Sequence, residues 1–155
     1  MSKEPESRSL AKGFLAGLAG GLAGAGIKLL TEQLFPPRIS GQAAPSALLA
    51  EQMVGHTLPD GQRKAAEQGI NWIFGALAGG LYGALVEFEP EIGAWRGAAF
   101  GIALNRITHE ALLPKMGLSA PPNQLRTEER ISGWVTHAAY GVATDTVRRS
   151  IRKGL

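Results

Sequence analysis

An all-α fold, a polytopic membrane protein built as a bundle of four Gly-rich transmembrane helices, is what this 155-residue sequence predicts. Three observations predict it. First, 21 glycines stand beside only five Phe, three Trp and two Tyr. Gly buries no side chain and weakens a water-exposed helix by about 1 kcal/mol relative to Ala, whereas in lipid it lets helices approach closely. Second, apolar stretches alternate with polar connectors, so the mean hydropathy near zero averages two unlike kinds of segment. Third, small and polar residues recur at a spacing of four in every apolar stretch. The length suits one unit, a single membrane domain over residues 1–155.

The first helix is placed over about residues 12–35, where Gly13 to Ile27 carries no charge and Pro36–Pro37 ends any helix. About 20 residues are needed to cross a bilayer, which this segment supplies. A long connector follows, and within it residues 46–55 read as an amphipathic helix lying on the membrane or on the bundle. Asp60 is a candidate N-cap for the second helix, placed over residues 68–87. Its uncharged run from Gln68 to Val86 is the strongest single membrane-spanning candidate, with Trp72 near one interface. The third segment, residues 93–113, is marginal, because Arg96, Asn105, Arg106, His109 and Glu110 interrupt it. Each charge at the bilayer centre costs about 2.5–3.5 kcal/mol on insertion scales, so this segment crosses only if partners shield them. The fourth helix, over residues 130–149, is opened by Thr127 with Glu128 and Glu129, acids that suit a helix N-terminus.

Residues spaced by four form one gently inclined stripe on a helix. The stripes are Gly20, Gly24, Lys28 and Glu32 in the first helix, with Gly13, Gly17 and Gly21 beside them. They are Asn71, Gly75, Gly79, Gly83 and Glu87 in the second; Gly93, Gly97, Gly101, Asn105 and His109 in the third; and Gly133, His137, Gly141 and Asp145 in the fourth. Small-xxx-small repeats recur where membrane helices cross closely, because backbones without Cβ atoms gain dispersion contacts. The glycines are therefore expected to pack the bundle or a homo-oligomer.

Antiparallel threading of four helices gathers Lys28, Glu32, Asn71, Asn105, Arg106, His109, Glu110 and His137 into one half of the bundle, where two cations and two carboxylates balance. The other half reads as Gly, Ala and Leu apart from Glu87 and Asp145. Arg148, Arg149, Arg152 and Lys153 form a basic cluster after the last helix, expected to anchor on anionic lipid on the cytoplasmic side. Both termini are expected there. The termini and the second turn hold eight Lys and Arg, Lys3 among them, against six in the other two loops, including Arg38. The net charge of +3 is modest and no aromatic residues interleave the basic ones, which argues against nucleic acid as a partner.

The absence of cysteine excludes disulfides, thiolate metal sites and Cys nucleophiles. His109 and His137 on adjacent segments could hold a haem or metal, but no carboxylate stands at a ligand spacing, and hydrogen-bonded packing is the expected role. The run Gly20 to Gly26 follows no strand and lacks the Lys-Ser/Thr ending of a phosphate loop. No nucleophile motif is present. The expectation is a non-enzyme with no cofactor.

The stretches FGALAGGLYGALVEFEP, GLSAPP and THAAYGVATDTVRRSIR, with FPPR after the first helix, resemble the bacterial inner-membrane family of unknown function typified by YagU (domain of unknown function 1440). The likeness covers nearly all of Lys12 to Arg152. It implies a polytopic inner-membrane protein and brings no reaction, substrate or site residues. The expected role is a structural or interaction component of the bilayer, in a homo-oligomer or larger membrane complex; the alternative is a proton or small-ion transporter using the polar cluster.

Overall fold

The computed structural model describes residues 8–37 and 42–155; Lys3 and Arg38, two of the charges that bear on topology, lie outside the described residues. Helix α1 (Leu10–Leu34) is followed by α2 (Pro45–Val54) and α3 (Asp60–Val86). A 3₁₀ segment, Pro90–Gly97, leads into α4 (Ala98–Ile107), which continues through a π turn, Thr108–Leu112, into the short α5 (Leu113–Lys115). A 3₁₀ turn, Pro122–Gln124, precedes α6 (Thr127–Arg152). There is no strand among the described residues.

Local chemistry sets the boundaries. The Ser9 side chain accepts from the Lys12 N–H and caps α1, whose last turn is closed before Pro36 by the Phe35 N–H on Thr31. Pro45 begins α2, and Gly55, at φ 77°, ends it in the left-handed conformation that a side chain resists. Asp60 is the first residue of α3 rather than its cap, a position that Pro59 takes. The helix thus starts well before residue 68, because the polar stretch from Gln62 to Glu67 is made of good helix formers. That extension brings Arg63 to Glu51 of α2, with hydrogen bonds of 3.0 and 3.1 Å. These bonds and one from the Leu58 N–H hold the Glu51 carboxyl below the usual carboxylate range.

The third predicted helix is corrected by the structure. Residues 93–113 are not one helix: Trp95 and Arg96 adopt φ of 52° and 54°, and Gly97 follows at 85°. This left-handed run turns the chain from α3 back into α4 and leaves Arg96 exposed outside the helix. Gly93 therefore does not share a continuous stripe with Gly97 and Gly101. Downstream, Pro114 has no N–H for the carbonyl of Glu110, and the π turn accommodates it, with the Leu113 N–H bonding back to Thr108.

Helix α1 is the centre of the bundle. It lies between α3 and α6, which scarcely touch each other, while α4 packs on α6 and α2 on α3. Its two stripes serve two neighbours. Gly13, Gly17 and Gly21 meet Gly83, Gly79 and Gly75 of α3 backbone to backbone, and Gly20 and Gly24 meet Thr144 and Tyr140 of α6. Gly97 and Gly101 likewise meet Gly141 and His137 of α6. A Cβ on Gly79 would stand 2.5 Å from the Gly17 carbonyl oxygen, closer than real side chains come. Gly133 and Gly93 are looser, facing Asn105 at 3.2 Å and Arg149 at 3.5 Å. The predicted stripes are thus used within one chain.

Because so many interior contacts are backbone to backbone, the buried apolar side chains are mainly Ala16, Ala25, Ala47, Ala50, Tyr82 and Tyr140, whereas Leu30, Leu34, Ile73, Leu77 and Leu81 point outward. Helices α1 and α3 are long and apolar enough to cross a bilayer. Replacing an interior glycine should therefore cost far more than trimming an outward leucine. Gly79→Leu or Gly97→Leu is expected to lower stability in detergent by at least about 3 kcal/mol, the upper range for overpacking, with Leu81→Ala leaving the melting temperature nearly unchanged. Equal losses in all three variants would refute this packing.

Candidate functional site

Two polar clusters lie at opposite ends of the bundle. Where α1 begins and α3 and α6 finish, Asp145 is 1% exposed and accepts from three residues. Tyr82 donates its hydroxyl at 2.9 Å, Arg148 donates two N–H groups at 2.9 and 3.1 Å, and Arg149 donates its Nε. The Arg148 guanidinium also stands 5.8 Å from the centre of the Tyr82 ring, a cation–π distance. One helical turn onward, Arg152 grips both oxygens of Glu87 at 2.8 and 2.9 Å, and the Ser9 N–H bonds the same carboxylate at 3.1 Å. Glu87 thereby ties the start of α1, the end of α3 and the end of α6 together. Of the basic cluster expected to face lipid, Arg148 and Arg152 turn inward onto carboxylates, while Arg149 and Lys153 remain exposed.

The other end holds the predicted polar residues. Lys28 pairs with Glu32 one turn along α1, and both line a cavity of about 220 Å³ beneath α2. Asn71 and His109 line it too, with Phe74, Leu49 and Met116 as its apolar walls. A second cavity of about 280 Å³ is bordered by Glu32, His109 and His137, and a third of about 50 Å³ reaches inward along Lys28, Asn71 and His137 to Tyr140. Tyr140 closes that path by donating its hydroxyl to the Gly75 carbonyl at 2.6 Å. The arrangement is a one-sided vestibule, with glycine-packed helices at its floor.

The two histidines meet edge to face, their ring centres 4.7 Å apart. The Thr108 hydroxyl donates to the Leu104 carbonyl, so its oxygen accepts from His109 Nδ1 at 2.9 Å. His137 Nδ1 lies 2.8 Å from the Gly133 carbonyl, which accepts from it. Each ring therefore donates through Nδ1. No group of three or more His, Cys, Asp or Glu side chains is placed to hold a metal among the described residues. The π turn carries Thr108 and His109, so this local irregularity sits at the vestibule wall, where such turns often mark function.

Three predicted members stand apart from the cavities. Asn105 is buried beside Gly133, and its Oδ1 has no protein hydrogen-bond partner. Arg106 lies on the surface of α4, 3.7 Å from Glu110, whose carboxylate accepts the Trp134 indole N–H of α6 at 2.7 Å. Sequence reasoning passed over Trp134, Thr108 and the whole Asp145 network. The spacing of Asp145 to Arg148 and Arg149 was a usable signal; the pairing of Glu87 with Arg152, 65 residues away, was not.

The sequence matches the model of a family described as "Protein of unknown function (DUF1440)" over residues 22–146. The chain belongs to this family. The DUF1440 match begins in α1 and ends in α6, so it encloses every residue of the vestibule and also the Tyr82–Asp145 bond, while Ser9, Arg148, Arg149 and Arg152 lie outside it. No curated protein and no solved structure matches the chain.

The two ends should respond differently to loss of a carboxylate. Asp145→Leu strands Arg148 and Tyr82 in the interior and is expected to cost about 3–5 kcal/mol. Glu110→Leu leaves the Trp134 N–H unsatisfied but strands no buried cation, since Arg106 is exposed, and is expected to cost about 1–3 kcal/mol. Chemical or thermal unfolding of the purified variants in one detergent would check the order; unchanged stability for Asp145→Leu would remove the terminal network from the account.

Proposed function

We propose that the chain is a bacterial inner-membrane protein with four membrane-crossing segments, α1, α3, the run from α4 to α5, and α6, both termini being cytoplasmic. It acts as a non-enzymatic structural or interaction component of the bilayer. The observation that carries this reading is an inversion of polarity. A water-soluble helical domain puts its large apolar side chains in the core. Here α6 turns Ile131, Val135 and Val142 outward and Thr136, His137, Thr144 and Asp145 inward. The α4 run likewise exposes Ile107 and Leu112 and buries Asn105 and Thr108. These two segments are less apolar than α1 and α3, yet apart from Arg106 of α4, which stays beside Glu110, they too turn large apolar side chains outward. At 1.5 Å per residue the run from Ala98 to Lys115 gives about 27 Å of helix, close to the hydrocarbon thickness of about 30 Å.

The bilayer is thus the first partner. A homo-oligomer joined through the same glycine stripes lacks support, because those glycines already face other helices of the one chain. The chain should remain in the membrane pellet after a carbonate wash, and a C-terminal reporter that works only outside the cytoplasm should stay silent. Release by carbonate would overturn the embedding, and an active reporter would overturn the topology.

One observation favours the second reading, transport of protons or a small ion. The vestibule is lined by two imidazole rings beside Lys28 and Glu32. Against it, the floor is sealed by α1 and α3 packed backbone to backbone. Purified protein in liposomes is expected to add no proton or small-ion flux above empty vesicles. Flux that is lost in folded His137→Gln and Glu110→Gln variants would move the assignment to transport.

A further inference from the structure

We propose that the cleft at the terminal end of the bundle is a binding site for the phosphate headgroup of an anionic membrane lipid. The cleft has a volume of about 400 Å³ and is lined by Arg8, Arg148, Arg149, Arg152 and Lys153, with Glu87 as the acid in its wall. Among the described residues, five cations there face two carboxylates, Glu87 and the Asp145 behind it. The excess is positive. It is also held in place, because Arg148 and Arg152 are pinned on Asp145 and Glu87 with their side chains 7% and 9% exposed. Arg148 spends two N–H groups on Asp145, from a guanidinium that carries five. Arg149, half exposed, and the exposed Arg8 and Lys153 complete the rim and need no rearrangement to reach an anion. A planar guanidinium fork matches phosphate oxygens, and a prepositioned fork loses little side-chain freedom on binding.

The surroundings favour a lipid over free phosphate. The cleft lies where α1 begins and α3 and α6 end, and in the membrane reading its mouth is at the depth of headgroups. Phe88 follows Glu87, Ile151 precedes Arg152, and Leu10 and Leu155 flank the two chain ends; all four are exposed. Trp95, 76% exposed and held outward by its left-handed backbone, adds an interfacial aromatic residue. An anion with two acyl chains satisfies the basic cleft and the apolar rim at once. Orthophosphate satisfies only the first. Basic pockets between membrane helices on the cytoplasmic side are a known setting for anionic headgroups.

The inference rests on the membrane reading, and the experiment separates the two. The full chain is assembled into nanodiscs of phosphatidylcholine, and phosphatidylglycerol with the same acyl chains is titrated in; failure to assemble counts against the membrane reading, not the cleft. Bound lipid is counted by native mass spectrometry and thermal stability is followed in parallel. Phosphatidylglycerol is expected to be retained in preference and to raise the melting temperature. Its affinity should fall about fivefold for each charge removed in Arg8→Gln, Arg149→Gln and Lys153→Gln, none of which is a buried anchor. The matched variants Lys64→Gln, Lys115→Gln and Arg126→Gln, at the opposite end, should keep the full preference. Equal loss in both sets would overturn the cleft as the site. A melting shift reproduced by millimolar inorganic phosphate alone would overturn the lipid as its ligand.

Discussion

The contact on which the structure depends is that of α1 with its two neighbours through glycine. Two stripes on one helix, offset by one residue and so by about 100° around its axis, let α3 and α6 approach α1 on different sides until backbone meets backbone. Such an approach rests on dispersion between closely fitted surfaces. It also has no room for error, because a Cβ in the wrong place meets a carbonyl rather than a side chain that can move. A helix with so little side-chain volume cannot fill space between distant neighbours. It must be flanked tightly or not at all, and this forces α1 to the middle while α4 reaches the bundle only through α6.

Close packing along the middle decides where polarity goes. Between α1 and α3 there is no space for a charged side chain, so ionisable groups are displaced toward the two ends. At one end they are condensed: Asp145 and Glu87 have their acceptor positions filled by Tyr82, arginines and a backbone N–H. Buried carboxylates repay their desolvation only when they are well paired and hydrogen-bonded, and both carboxylates at this end meet that condition. At the other end the helices part around α2 and the π turn, and polar groups there border open volume. The bundle thus has one consolidated end and one open end, and the difference follows from packing rather than from composition.

The glycine stripes and the order of helices were legible in the sequence because a spacing of four on a helix is a geometric statement, needing no knowledge of the partner. The gathering of Lys28, Glu32, Asn71, His109 and His137 was legible for the same reason, since antiparallel threading fixes depth along each helix. What stayed hidden depends on particulars of the backbone. Trp95 and Arg96 carry no sign of a left-handed conformation, which glycine or asparagine would have announced, and the break there is imposed by the fit of Gly97 against Gly141. Arg148 and Arg152 were read as outward because basic residues after an apolar helix usually are. Their inward turn follows from α6 continuing as a helix to Arg152, which keeps both on the face that carries Asp145 and Gly141.

The hydrogen bonding of α6 also explains how a helix with so many polar residues can bury them in the bundle. On its inner face Thr136 and Thr144 return their hydroxyls to carbonyls of their own helix, and His137 does the same through Nδ1, so none of these groups needs a partner across the bundle. Asp145 cannot satisfy itself in this way, since a carboxylate has no proton to donate. It is satisfied by the two arginines that follow it on α6 and by the Tyr82 hydroxyl from α3, the one donor that crosses to it from another helix. Polar residues of α6 are therefore tolerated in the interior where the helix can neutralise them locally. The Tyr82 bond supplies, from a second helix, the donor that completes the shell of this buried charge, at one of the places where α3 and α6 come within reach of each other beside α1.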